Sequence, residues 1–240
     1  MNIKTNLISV SGVKGSGKDE CSKMLQYCLS VPKFLRQYWI YKRFNKLFHK
    51  SWKILAFADP LKKMLAILLN IPVEKFNDRA FKEDTCINLK TLDYSLAAFI
   101  KNKNLLSDSK FTKMSKELDL DILNHDLTIR QLMQYFGTMI CRTYFGEDVW
   151  INSTLKHATK KTIISDCRFI NEAEAIKSKG GKIIYIERAG AGFGHHQSEK
   201  EMFQMLKKGV YDYKIINNST LEDLFTDIKH ICDDLKGNNC

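Results

Sequence analysis

Leu7-Ile8-Ser9-Val10-Ser11-Gly12-Val13-Lys14-Gly15-Ser16-Gly17-Lys18-Asp19 is the stretch on which the fold turns. Leu7 to Val10 read as a short strand buried on both faces. Three glycines within six residues then break regular structure. Beyond them apolar residues recur at helical spacing, Cys21, Met24, Leu25, Cys28 and Leu29, until Pro32 closes the helix region. A strand that passes through a glycine loop directly into a helix opens an alternating α/β arrangement.

The rest of the chain continues that alternation. Ile54 to Phe57 predict a second strand, stopped at Asp59-Pro60 and followed by an apolar helix through about Leu69. Residues 71–127 are less regular, and the charged stretch from Lys110 to Asp126 predicts exposed helices and loops. Thr128 begins an amphipathic helix over Ile129 to Tyr144, and a second helix follows from Val149 to His157. Thr162 to Ser165 predict a third strand, ending at Asp166-Cys167-Arg168, and then a helix from Asn171 to Ser178 that breaks at Gly180-Gly181. Lys182 to Ile186 and Tyr213 to Ile216 supply two more strands, with a helix near Glu199 to Lys207 between them. Leu221 to Leu235 form the closing helix. The expected fold class is α/β, a five-stranded, mostly parallel sheet flanked by helices, in one domain over 1–240. A helical lobe over about 60–160 is expected between the second and third strands, and a small lid over about 188–208. Ligands of such sheets sit at the carboxyl ends of the strands.

Composition narrows the class without choosing a function. Of 240 residues 44% are hydrophobic and 27% charged, enough to bury a core and too apolar for a disordered chain. No apolar run reaches membrane-spanning length and no signal-peptide pattern precedes the first strand. The expected location is the cytoplasm, which for a viral chain is the host's. Seven dispersed cysteines, with no C-x-x-C and no His/Cys cluster at zinc spacing, suggest reduced thiols rather than a disulfide framework or a metal cage. The formal charge of +11 attracts anions without saying which.

The chemistry lies at two strand ends. Gly12-x-x-x-x-Gly17-Lys18 matches the phosphate-binding P-loop in the context it requires, strand before and helix after. Glycines let successive N–H groups turn inward, the helix N-terminus adds a positive dipole end, and Lys18 supplies a mobile point charge. Gly12, Gly15, Ser16, Gly17 and Lys18 are thus the candidate ATP-binding residues. Asp19 replaces the usual Ser or Thr; its carboxylate either binds Mg²⁺ or the acceptor side, or merely caps the helix. Asp166 ends an apolar strand as a magnesium-binding or acceptor-orienting acid does, and Arg168 offers a fork that clamps phosphate; the bland alternative is an Asp–Arg pair capping the next helix. Lys18, Asp19, Asp166 and Arg168 are the candidate catalytic residues, with Asp19 and Asp166 as candidate metal ligands.

With these residues in hand, the chain resembles the phage-type deoxynucleoside monophosphate kinases. Ser11-Gly12-Val13-Lys14-x-Ser16-Gly17-Lys18-Asp19 is similar to that family's P-loop, including its Lys-Asp ending. Arg130-Gln131-Leu132-Met133-Gln134-x-x-Gly137-Thr138, with Trp150 after it, resembles the substrate-side helix. Asp166-x-Arg168-x-x-x-Glu172, His196-x-Ser198-Glu199 and Ile216-Asn217-Asn218-Ser219 follow in the same order. The resemblance implies phosphoryl transfer from ATP, with Mg²⁺, to a deoxynucleoside monophosphate. It places Lys14, Asp19, Arg130, Gly137, Thr138, Trp150, Arg168 and Glu172 toward the acceptor; Lys82 and Gln134 are assigned to the same side. Two departures stand out: Gly15 replaces a basic residue of the best-known pattern, and Glu20-Cys21 replace a Thr pair. The first half also resembles animal-type phosphomevalonate kinases, through Lys-x-x-Ser-Gly-Lys-Asp, Pro60-Leu61-Lys62 and Asp-x-Arg. The Gln134-x-x-Gly137-Thr138 helix favours the nucleotide reading.

Two segments carry weaker signals. In 188–208, Arg188, Ser198 and Glu199 with hinge glycines 190, 192 and 194 read as a closing lid or as an ordinary loop. The basic, aromatic run at 33–53 reads as a helical insertion that buries aromatics and solvates its lysines; nucleic-acid or membrane-surface binding are the alternatives. The expected partners are therefore small molecules, ATP and the acceptor, with neither membrane nor nucleic acid, and a homodimer left open. A non-catalytic P-loop nucleotide-binding protein is the remaining class; no Asn-Lys-x-Asp guanine motif accompanies it.

Overall fold

The segments that read as apolar strands line up side by side. A computed structural model describes residues 6–48, 50–88, 126–158, 161–191 and 197–237. Among them the strands are β1 (Leu7–Ser11), β2 (Lys53–Leu55), β3 (Cys86–Asn88), β4 (Asp126–Thr128), β5 (Thr162–Ile164), β6 (Lys182–Glu187) and β7 (Tyr213–Ile216). Five of them form one sheet in the order β2-β5-β1-β6-β7, every neighbouring pair parallel. The chain leaves β1 for one side of the sheet and later crosses it to the other. The strand order therefore reverses at β1, and the crevice beyond such a reversal is where α/β sheets bind ligands.

The chain divides into two compact units, one of Met1–Phe57 with Ile151–Cys240, the other of Ala58–Trp150. In the first, β1 is buried along its whole length, as its unbroken apolar reading requires. Ile8, Val10, Ile184 and Ile186 share a core with Met24 and Leu25 of helix Lys18–Ser30 and with Phe225 and Ile228 of helix Leu221–Leu235. Each such side chain contributes roughly 1.5–3 kcal/mol by leaving water. The helix that follows the Gly12–Gly17 loop is thus fixed by helix Leu221–Leu235.

Segment 33–53 lies on the same core. Tyr27 meets Tyr41 and Phe48 edge-on at 5.4 and 5.5 Å, its hydroxyl donates to the Leu35 carbonyl, and Gln26 Nε2 donates to the Trp52 carbonyl. Tyr41 and Trp52 are buried while Lys42, Arg43, Lys46 and Lys50 are exposed. Phe34 and Trp39 depart from the expected burial, being 74% and 64% exposed.

One acidic side chain ties the far edge of the sheet together. Asp212 accepts from Lys177, from Lys182 at 2.9 Å and from the Ile183 amide at 2.8 Å. Burial alone pushes its carboxyl up, but the two lysines and the amide outweigh this and hold it below its ordinary value of 3.8. A carboxyl lowered on folding adds stability above its unfolded value and loses it as pH falls through the folded one. In urea titrations the gap between wild type and Asp212→Asn should be full at pH 6 and close progressively below about pH 4. A gap that widens toward acid would contradict this.

The second unit holds helix Asp59–Leu69, helix Arg79–Asp84 and the antiparallel pair β3–β4, which the sequence reading did not anticipate. The stretch between those two strands, with most of the Lys110-to-Asp126 region, lies outside the described residues. The expected helix over Ile129 to Tyr144 is modified. Its start is as predicted, with Thr128 and Gln131 in a reciprocal capping box, but α-helix runs only over Ile129–Gln134. Tyr135–Arg142 widens into a π-helix, and Thr143–Phe145 returns to α. Among the described residues no helix is long and apolar enough to cross a membrane.

Candidate active site

Gly12 follows β1 and passes so close to β6 that a Cβ there would sit 2.6 Å from the Ile186 carbonyl oxygen, a clash with backbone. The loop then turns on a Ser16 N–H to Val13 carbonyl bond of 3.2 Å. Gly17 has φ 101°, a left-handed conformation that side chains disfavour, and serves as N-cap of helix Lys18–Ser30. Among the described residues no side chain caps that helix, and an uncapped N-terminus after a glycine loop is suited to an anion. Lys18 folds back over the loop, its Nζ donating to the Val13 carbonyl at 2.9 Å, and is only 8% exposed. The Ser16 hydroxyl is buried with no hydrogen-bond partner among the described residues. Lys14 and Gly15 form the exposed tip.

Asp19 lies in the first turn of that helix, not at its cap. Its carboxylate is exposed and makes no hydrogen bond or ion pair among the described residues. Helix capping therefore does not account for it.

Asp166 and Arg168 come off the end of β5, beside β1. One Asp166 oxygen accepts from the Phe57 amide at 2.6 Å, linking this turn to the segment after β2. The Cys167 amide donates to the Val10 carbonyl at 3.3 Å, and burial pushes the Cys167 thiol well up, away from thiolate character. Glu172, 2% exposed, turns one oxygen onto the amides of Arg168 and Phe169, at 2.8 and 3.1 Å. This closes the start of helix Ile170–Ser178 and fixes the Arg168 backbone, a bracing task not evident from the sequence. The Arg168 guanidinium is half-buried and pairs with nothing among the described residues. An unpaired fork on a fixed backbone is suited to a bidentate anion.

The other two strand ends complete the edge. Arg188 follows β6, exposed and without a side-chain partner among the described residues. Ser198 is buried in helix Gln197–Lys207, while residues 192–196 and the Glu199 side chain lie outside the described residues. Asn217 follows β7, and its Nδ2 donates to the Ser16 carbonyl at 2.8 Å. The sequence reading quoted this asparagine but gave it no site role.

The second unit carries its own cluster. Arg130 Nε pairs with Glu83 at 2.6 Å, beside Lys82 on helix Arg79–Asp84; the two Nη groups of Arg130 make no bond among the described residues. Arg130, Gln134 and Thr138 recur at intervals of four and are half-exposed, whereas Leu132, Tyr135, Phe136 and Met139 are buried. The amide of Gln134 and the hydroxyl of Thr138 also lack partners among the described residues. Gly137 sits inside the π-helix; a Cβ there would lie 2.6 Å from Leu61 Cδ2, and its carbonyl accepts from the buried Trp150 indole at 2.8 Å. Short π segments in α-helices often mark functional sites.

Among the described residues no three His, Cys, Asp or Glu side chains gather as a metal cage. Mg²⁺ does not need one, since it keeps waters and is held by one or two carboxylates with substrate phosphates. The Asp19 carboxylate, unpartnered among the described residues and next to the Gly12–Lys18 loop, fits that pattern.

The family model described as deoxynucleotide monophosphate kinase matches residues 6–228. A putative deoxynucleotide monophosphate kinase of Acanthamoeba polyphaga mimivirus is 33% identical over 117 residues, 42% of this chain. That match spans 59% of the viral relative's length. Among solved structures, a dephospho-CoA kinase from Campylobacter jejuni is similar over 98% of this chain and 100% of its own, at 14% identity and a TM-score of 0.37.

Proposed function

The chain belongs to the deoxynucleotide monophosphate kinase family, and on that premise we propose that it transfers the γ-phosphoryl group of ATP to a deoxynucleoside monophosphate, giving the diphosphate. The observation that carries the proposal is the phosphate loop: glycines at a close approach and at positive φ, an uncapped helix start, and Lys18 folded over the turn. Arg168 at the neighbouring strand end, its guanidinium unpaired among the described residues, adds to it.

The acceptor's phosphate is a dianion at neutral pH, so the attacking oxygen has no proton to lose. One of its oxygens forms a bond to the γ-phosphorus while the bond to the β–γ bridging oxygen breaks, and ADP leaves with that electron pair. The obstacle is repulsion between two polyanions. At an effective dielectric of 20, two unit charges 4 Å apart repel by about 4 kcal/mol. Fixed cations and amide dipoles are therefore what the reaction needs most. Lys18 and the loop amides hold the β- and γ-phosphates, and Lys14 and Arg168 neutralise the transferring group and the acceptor phosphate. Bound at Asp19, with Asp166 as second acid, Mg²⁺ would neutralise charge on the phosphate oxygens and would serve in place of the usual hydroxyl.

The second unit is proposed as the acceptor-binding lobe. Arg130 offers its Nη groups, Gln134 and Thr138 offer neutral donors and acceptors on the same strip, and Trp150 braces the backbone at Gly137. Segment 188–208 is proposed as the lid, with Arg188 as its cation.

ADP release should be followed with Mg-ATP and a panel of deoxynucleoside monophosphates, their ribo counterparts and phosphomevalonate. Turnover is expected with at least one deoxynucleotide. Turnover with phosphomevalonate alone, or with no acceptor, would overturn the proposal.

A further inference from the structure

Backbone amides grip a phosphate only if their peptide planes face one way, and a glycine-rich turn has little stiffness of its own to keep them so. Here the stiffness arrives from a side chain 201 residues further along. Asn217 Nδ2 donates to the Ser16 carbonyl at 2.8 Å, and the residue is 8% exposed. A carbonyl oxygen only accepts, so the NH₂ end of the amide must face it. In a trans peptide the C=O and the following N–H point opposite ways. Drawing the Ser16 carbonyl toward Asn217 therefore turns the Gly17 N–H away from it, to the side a bound phosphate would occupy. Without that bond only the flanking contacts, the Ser16 N–H on the Val13 carbonyl at 3.2 Å and the Cys21 amide on the Gly17 carbonyl at 3.0 Å, resist a turn of this peptide that would present its negative end to the anion.

The arm that does this is itself fixed. The Asn217 amide donates to the Glu187 carbonyl at 2.8 Å, continuing the β6–β7 ladder, and the next side chain, Asn218 Oδ1, accepts from the Ala189 amide at 2.7 Å. The fit is close as well, since a Cβ on Gly17 would stand 2.5 Å from Asn217 Nδ2. Gly17 therefore serves two needs, a left-handed turn and room for the asparagine.

We propose that Asn217 is a positioning residue for ATP: its amide sets the Ser16–Gly17 peptide and so shapes the phosphate loop before the nucleotide arrives. This rests on the phosphotransferase reading above. Full-length Asn217→Leu removes the donor at nearly constant shape, and Asn217→Asp leaves an acceptor that regains an O–H donor only when protonated. For Asn217→Leu the KM for ATP should rise on the order of tenfold, with the acceptor KM within about twofold of wild type. For Asn217→Asp the rise relative to wild type should be at least as large at pH 8, where an ionised carboxylate would face the Ser16 carbonyl; burial beside that carbonyl raises the new carboxyl, so the rise should shrink as pH falls toward 5. Thermal midpoints report whether each variant folds, and if the leucine variant does not, the pH comparison of the aspartate variant decides. An unchanged ATP KM in a folded leucine variant, or a pH-independent defect in the aspartate variant, would overturn the assignment alone. A wild type that shows no heat with Mg-ATP in calorimetry would overturn both it and the reading beneath it.

Discussion

Lys18→Ala is expected to lower turnover by roughly 10²–10³-fold, the loss of about 2.7–4 kcal/mol that follows removal of one preorganised charge from a reacting centre. The ammonium group is held on the Val13 carbonyl over the glycine loop, and its stem is nearly excluded from solvent. Preorganisation of this kind is worth most when the charge need not be desolvated again as the reaction proceeds. Lys18→Met keeps most of the buried stem and should lose as much activity as alanine does, which separates charge from packing. The helix behind the loop is anchored by Met24 and Leu25 in the core, so the thermal midpoint should move little. A coupled assay for ADP together with a thermal melt measures both quantities. A near-normal rate in either variant would remove Lys18 from the mechanism.

Arg168→Ala should cost on the order of 10²-fold in turnover, and Arg168→Lys should restore only a minor part of it. The reason lies in shape as well as charge. A guanidinium can present paired N–H groups to two oxygens of one phosphate, as proposed for Arg168, whereas an ammonium meets them one at a time. Its backbone amide is held by Glu172, so truncating the side chain leaves the turn in place. The defect should therefore appear in steady-state kinetics of a variant that melts with the wild type. Full activity in Arg168→Lys would reduce the residue to a general source of charge, and full activity in Arg168→Ala would exclude it.

The main sheet was legible because its strands are short, apolar and followed by unmistakable breaks. Gly12, Gly180-Gly181 and Asp59-Pro60 each mark a boundary close to where an element starts or stops. The π-helix was not legible. Buried Tyr135, Phe136, Met139 and Ile140 are compatible with an α-helical face, and the wider turn coincides with tertiary partners, Trp150 on the Gly137 carbonyl and Leu61 against its α-carbon. The β3–β4 pair escaped for a different reason: three-residue strands carry too little alternation to register, and they pair across a long stretch of chain. At the candidate site, spacing placed Asp166, Arg168 and Glu172 together but not the inward turn of the Glu172 carboxylate. A side chain's partner at distance in the chain is set by packing, which periodicity does not encode. Asn217 illustrates the same limit.

The order of the sheet also has a consequence for synthesis. β1 is translated ahead of the sheet's other strands, yet both of its neighbours, β5 and β6, follow more than 150 residues later, and the helix behind its loop rests on Leu221–Leu235. Contacts of such long range close slowly, and until they do the apolar face of the first strand is open to wrong partners. A chain released before Leu221–Leu235 is made would lack the helix on which Lys18–Ser30 rests, and with it the support of the glycine loop, however complete its N-terminal motif.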